Sequence, residues 1–271
     1  MLAFVLSGGG NFGALQAGAL EVLLERGLRP QMLVGTSAGA LNSAILAADP
    51  TPGGARYLQS LWHYHGGIPS SPFLPRWRML TDAPSLYPSK PLFSYFRKAM
   101  PEGIETYGDL EERSGVRAYA VAIRLDRGEI RVFGDDPEDK VLDGMMASCA
   151  MPLYFPPWVV DGVPYVDGGA LAKLPLRIAA ERGAEEVFAL DVEDTTGEEE
   201  ARGMWEISAQ VLSLVIAQQV KAELRWAREA GLKVHYISLP RGGVPFWDFT
   251  RAEELIELGR EAARSYLEEM G

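Results

Sequence analysis

Apolar residues follow two rhythms along this chain. Short unbroken runs alternate with longer stretches in which apolar positions return every three or four residues. Leu2–Ser7 and Gln31–Val34 are of the first kind and predict strands buried on both faces. Ala14–Arg26 is of the second kind, with Leu15, Ala19, Val22 and Leu23 on one helical face and Gly27 as a stop. Another helix is expected from about Ala38 to Ala48, where Asp49-Pro50-Thr51-Pro52 breaks it. A strand–helix–strand–helix opening implies a parallel sheet with right-handed crossovers.

Further on, Arg117–Leu125 and Glu129–Phe133 read as a hairpin joined by Asp126-Arg127-Gly128. Trp158–Val160 and Val163–Val166 flank Asp161-Gly162, the strongest two-residue hairpin signal in the chain. Leu174–Arg182 is expected to be a helix, with Pro175 in its first turn and Gly183 at its end. Glu186–Leu190 and Lys233–Leu239 are expected strands. Met204–Ala230 reads as a long, mostly buried helix, and Thr250–Glu269 as an amphipathic one. No internal repeat or low-complexity stretch interrupts this order.

Residues 51–100 break the pattern. They hold seven of the 18 prolines and nine of the 26 aromatic residues, which predicts a cap inserted in the α/β core, over residues 51–110 of a single domain spanning 1–271. Arg56, Arg76, Arg78, Lys90, Arg97 and Lys98 face only Asp82 in charge, so the segment is basic in a chain of net charge −11. Trp62, Phe73, Trp77, Phe93, Tyr95 and Phe96 interleave with them. Such a surface suits transient contact with a membrane. The alternative is a cap whose aromatics pack inward.

The acidic balance argues against nucleic acid as a partner, because phosphate binding needs a basic face. With Cys149 as the one cysteine, no intrachain disulfide can form, which fits a reducing cytoplasm. Met1–Ser7 lacks the basic start and cleavage site of a signal peptide, and no apolar run reaches the length needed to span a bilayer. The expectation is a cytoplasmic protein, peripheral to a membrane at most.

Chemistry gathers in three glycine-rich places. Gly35-Thr36-Ser37-Ala38-Gly39 is G-x-S-x-G between a strand and a helix, the context a nucleophile elbow requires. There the turn holds the serine strained while the helix start offers free N–H groups. Gly8-Gly9-Gly10-Asn11-Phe12-Gly13 fits G-x-G-x-x-G, but the next strand ends without the acid a ribose would need. An anion-binding loop is the better reading, with backbone amides aimed at an acyl oxyanion. Asp167-Gly168-Gly169 follows a strand, so Asp167 can stand at a strand end as a carboxylate base. An Asp-Gly turn is the plainer reading, as at Asp161-Gly162. The histidines are His63, His65 and His235. The first two lie in the cap, and His235 lies inside a strand, although chain order would permit a Ser37–Asp191–His235 triad. No cluster of metal-ligand spacing is present, and no cofactor is expected.

In order and spacing, these three blocks together resemble the motifs of the patatin-like phospholipases. Ala147–Pro157, Leu174-Pro175-Leu176 and Gly183-Ala184 are similar to other stretches of bacterial members, so the likeness covers most of residues 3–191. The resemblance implies a three-layer α/β/α sandwich around a mostly parallel sheet. It also implies hydrolysis of lipid acyl esters by a Ser–Asp dyad through an acyl-serine intermediate. Carried over residue by residue, Ser37 is the nucleophile and Asp167 the base. Gly8, Gly9, Gly10, Asn11 and Ala38 form the oxyanion hole, while Gly13, Gly35, Gly39, Gly168 and Gly169 shape the turns. Two positions depart from the pattern: Phe12, where many relatives carry a basic residue, and Lys173, near a frequent asparagine. Two rivals stay open, a Ser–Asp–His esterase and a non-catalytic acyl-lipid binding protein of the same fold.

Overall fold

A computed structural model describes residues 1–63, 85–193 and 203–270 of the chain. Its sheet is built on the strands β1 (Leu2–Leu6), β2 (Met32–Thr36), β3 (Arg117–Arg124), β7 (Glu186–Val192) and β8 (Lys233–Leu239). These run parallel in the order β8-β7-β1-β2-β3. Three antiparallel strands extend it: β4 (Glu129–Phe133), β5 (Trp158–Val160) and β6 (Val163–Asp167).

Alternation along the strands creates the layers, because successive side chains of a strand point to opposite faces. Phe4, Leu6, Leu33, Ala118, Ala120, Phe188 and Leu190 enter one core. Their neighbours Ala3, Val5, Met32, Val34, Tyr119, Val187 and Ala189 enter another. Against the first core lie α1 (Gly13–Glu25), α2 (Ala38–Ala48), α3 (Pro52–His63), α4 (Ser89–Ala99), α5 (Tyr107–Ser114), α6 (Val141–Ser148) and α10 (Ala252–Met270). On the second lie α7 (Gly169–Ala172), α8 (Leu176–Glu181) and α9 (Met204–Glu229). The result is the α/β/α sandwich expected from the sequence, with a mostly parallel sheet.

One expectation about this second layer fails. The helix α9 is not mostly buried: Val220 and Ala227 reach the core, but Ile207, Val211, Leu212, Leu214 and Val215 are exposed. Length explains it. Its 26 residues extend about 39 Å at 1.5 Å per residue. The seven residues of β8 span only about 23 Å. The first turns of α9 therefore run past the sheet.

Within the cap, α3 and α4 are described, while Phe73, Arg76, Trp77 and Arg78 fall outside the described residues. Trp62, Tyr95 and Phe96 are buried, and Phe93 stacks on Trp158 with ring centroids 5.6 Å apart. Arg56 pairs with Glu21 and Glu25 on α1. Of the other described cap aromatics, Tyr87 and Tyr107 are buried while Tyr57 is exposed.

Strand register positions the site. The first residues of β3, Arg117–Val121, pair with β2, while Ala122–Arg124 pair with β6. Because β4 overlaps both pairings, it must occupy the other edge of β3. So β2 and β6 share one edge and meet nearly end to end. Thr36 faces Val121 and Asp167 faces Ala122, so β3 brings Ser37 and Asp167 together across 130 residues of chain.

Candidate active site

Ser37 lies between β2 and α2 with φ 55° and ψ −123°, a backbone conformation that L-residues rarely adopt. Its neighbours make the turn feasible. A methyl group on Gly35 would lie 2.1 Å from the Gly39 carbonyl oxygen, and one on Gly39 would lie 2.3 Å from the Leu6 carbonyl oxygen. Strand and helix start are thus in backbone contact. A further restraint is Ser148 on α6. Its hydroxyl accepts the Ser37 N–H at 2.8 Å and donates to the Val121 carbonyl at 2.6 Å.

The Ser37 side chain stands beside the carboxylate of Asp167 and lowers its pKa. Asp167 is buried, 6% exposed, and its Oδ1 accepts the Gly169 N–H at 2.8 Å. Burial pushes its pKa up to about 6 from an ordinary 3.8, while the neighbouring Ser37 side chain and the Gly169 N–H oppose the rise. A carboxylate tuned this way is a better proton acceptor than a solvated one and remains charged at neutral pH. Cys149 lies near this pair and, with Ser37, lines one cavity. Burial, and then the charge of Asp167, push its thiol well above its ordinary value, so it stays protonated.

The first glycine loop lies against this pair. Gly8 packs on Ser37, and Gly10, at φ 58°, packs under the Phe246 ring. Gly13 faces Trp62 and Ala38, and Gly168 packs on Val121. Two members of the expected oxyanion set are already engaged. The Gly8 amide donates to the Lys173 carbonyl at 3.1 Å. The Asn11 side chain, fully buried, donates to the Pro245 and Asp248 carbonyls at 3.1 and 3.0 Å and accepts the Trp247 N–H at 2.9 Å. Among the described residues, no backbone acceptor takes the Gly9 or Gly10 amide. Ala38, first residue of α2, presents the amide that a helix start leaves without an internal partner.

The triad alternative fails on geometry. Successive registers put Gly35 level with Ile237, so His235 lies four residues below the level of Ser37 and three strands away. That separation is roughly 20 Å. His235 is engaged there, with Nε2 2.8 Å from Glu186 Oε1 and Nδ1 3.0 Å from the Tyr266 hydroxyl. His63 pairs with Glu253 at 3.0 Å, and His65 lies outside the described residues. Asp191 is also occupied. It pairs with Lys173 at 3.2 Å and accepts the Tyr236 hydroxyl at 2.9 Å.

This pair also accounts for Lys173, which a loop position suggests should be solvated. The side chain is buried and donates to the Val192 carbonyl at 2.7 Å. Val192 packs on Gly9, so the ion pair supports the glycine loop from behind. The other departure is answered in space: the Arg241 guanidinium lies over the Phe12 ring, 4.5 Å from its centroid. Sequence reasoning missed Ser148, Arg241 and Trp247. All three act across more than 100 residues of chain, and only Ser148 lies in a stretch that the motifs had marked.

At Ser37 a cavity opens between apolar side chains, among them Leu41, Trp62, Leu92, Phe96 and Phe155. Such an apolar lining suits an acyl chain. Among the described residues, no group of His, Cys, Asp and Glu could hold a metal ion, and no helix is long and apolar enough to cross a membrane.

Residues 4–180 match the family model described as patatin-like phospholipase. A Bacillus subtilis (strain 168) protein, YqhO, is 30% identical over 64% of this chain and 64% of its own. The mouse patatin-like phospholipase domain-containing protein 7 is 25% identical over 97% of this chain, and the Eremothecium gossypii lysophospholipase NTE1 is 29% identical over 70%. The matches span only 20% and 12% of those two longer proteins. In fold the chain is similar to Legionella pneumophila VipD, with a TM-score of 0.51 at 17% identity, covering 98% of this chain and 66% of that one. Since the family model takes in both glycine-rich loops and the Asp167 turn, the chain belongs to the patatin-like phospholipase family.

Proposed function

We propose that the chain is a lipid acyl-ester hydrolase that works through a Ser37–Asp167 dyad. The observation that carries this reading is a strained serine set beside a buried carboxylate of raised pKa, with the serine lining an apolar cavity. Asp167 removes the Ser37 proton as the oxygen attacks the ester carbonyl carbon. The amides of Gly9, Gly10 and Ala38 receive the negative charge that develops on the carbonyl oxygen. Gly8 and Asn11 serve instead by holding that loop and the 245–248 segment in place. When the tetrahedral intermediate collapses, the C–O bond to the alcohol breaks, the Asp167 proton goes to the departing oxygen, and an acyl-serine remains. Water then gives its proton to Asp167 and its oxygen to the acyl carbon, releasing the carboxylic acid and restoring Ser37. An acyl chain lies in the cavity throughout.

A fluorophosphonate probe should label the wild-type protein at Ser37 and leave a folded Ser37→Ala variant unlabelled. Release of p-nitrophenol from an acyl ester should rise with pH through an apparent pKa of about 6, because the base must be ionised. Labelling that survives Ser37→Ala would remove the reading.

A further inference from the structure

Two cavities meet at one pair of residues. The inner one starts at Ser37. The outer one lies along the seam of α3 and α4 and is lined by Ser60, Pro91, Ser94 and Lys98. Leu61 and Tyr95 line both.

Helix periodicity explains why these two are shared. On α4, Leu92, Tyr95, Phe96 and Ala99 form the buried i, i+3, i+4, i+7 stripe. Of these, Leu92 and Phe96 face the inner cavity, while Pro91, Ser94 and Lys98, one step round the helix, face the outer one. Tyr95 stands on the line between. On α3, Trp62 is inner and Ser60 outer, with Leu61 between them. The Tyr95 hydroxyl donates to the Leu61 carbonyl at 2.5 Å and fastens the pair. That carbonyl belongs to the last turn of α3, where carbonyls lack partners within the helix. The Tyr57 hydroxyl, donating to the Ala99 carbonyl at 2.8 Å, ties the same two helices a turn away.

We propose that Tyr95 and Leu61 form the end wall of the acyl channel and set the longest acyl chain that the site accepts. The proposal rests on the ester-hydrolase reading above and narrows its substrates to esters whose acyl chain ends at this wall. Tyr95 presents its ring to the channel and has its polar end satisfied by Leu61, so the wall is apolar and needs no water. A longer chain must break that hydrogen bond and push the ring toward the outer cavity. Each methylene without a place costs about tenfold or more in kcat/KM.

The test is kcat/KM for p-nitrophenyl esters of graded saturated chains, butanoyl to hexadecanoyl, in the wild type, Tyr95→Ala, Leu61→Ala and Tyr95→Phe. The ratio of hexadecanoyl to butanoyl should rise at least about tenfold in both alanine variants. In Tyr95→Phe, which keeps the ring and loses the hydrogen bond, it should rise less. A ratio taken within one variant does not depend on how much of it is folded. Ratios in both alanine variants within about twofold of wild type would overturn the wall. If the wild type hydrolyses no ester, the hydrolase reading fails by itself, and the wall is read by binding instead. Hexadecanoate should then displace anilinonaphthalene sulfonate from Tyr95→Ala at least about tenfold more tightly than from wild type. Equal displacement would sink the proposal.

Discussion

Asp161-Gly162 and Asp167-Gly168 are the same dipeptide, six residues apart, at opposite ends of β6. The first closes the β5–β6 hairpin, with φ 49° and 78°, where both residues of a two-residue turn must be left-handed. Asp161 is exposed to solvent there. The second is buried: Asp167 pairs with Ala122 of β3 beside Ser37, and Gly168 packs on the Val121 backbone. Identical local chemistry thus yields a solvent turn at one end of a strand and the proposed base at the other. Sheet position makes the difference, since only the Asp167 end reaches the edge of β3 that β2 vacates.

The largest loss of stability should come from the glycines. A methyl group on Gly168 would lie 2.4 Å from the Val121 carbonyl oxygen, a backbone atom that cannot step aside. Gly168→Ala should cost about 3 kcal/mol or more in urea unfolding. At Gly162 nothing lies within 4 Å, so Gly162→Ala should lose only the about 1–2 kcal/mol of left-handed strain. Equal losses would mean that the turn at Asp167 is less confined than described.

The aspartates should differ in the opposite sense. Asp167 ionises near pH 6 in the fold against an ordinary 3.8, so the folded state holds the proton more tightly between those values. Keeping the charge at neutral pH therefore costs the fold about 3 kcal/mol, a cost complete above about pH 6 and absent below about pH 3.8. Asp167→Asn keeps an acceptor for Ser37 and Gly169 and removes the charge. It should unfold at higher urea concentration than wild type at pH 7.5, and the gain should shrink as pH falls toward 4. Asp161→Asn should change stability by less than about 0.5 kcal/mol. A loss of stability in Asp167→Asn at pH 7.5 would contradict the burial argument.

A smaller effect belongs to Ser148. In Ser148→Ala the Ser37 N–H and Val121 carbonyl both lose a partner, which should cost about 2 kcal/mol of stability. As a positioning residue it should lower kcat about tenfold with KM little changed. Unchanged kcat would make its role purely structural.

Much of this was legible in the residues themselves. The runs at β1 and β2 are apolar because those strands are buried on both faces, and the elbow shows because only glycine fits at Gly35 and Gly39. What stayed hidden depends on distant partners. No local signal separates Asp161 from Asp167, since pairing with β3 decides between them. That Asn11 spends its side chain on Trp247, and Gly8 its amide on Lys173, follows from contacts across more than 160 residues. The exposure of α9 is invisible in its own apolar pattern because it reflects how far the helix outruns the sheet.

The central claim, that Asp167 rather than a histidine activates Ser37, is tested most directly by kcat/KM for an acyl p-nitrophenyl ester. The variants to compare with wild type are Asp167→Asn, Asp161→Asn and His235→Gln. The account predicts a loss of about 10⁴-fold for Asp167→Asn, and little change for Asp161→Asn or His235→Gln. A full rate in folded Asp167→Asn, or a comparable loss in His235→Gln, would contradict it.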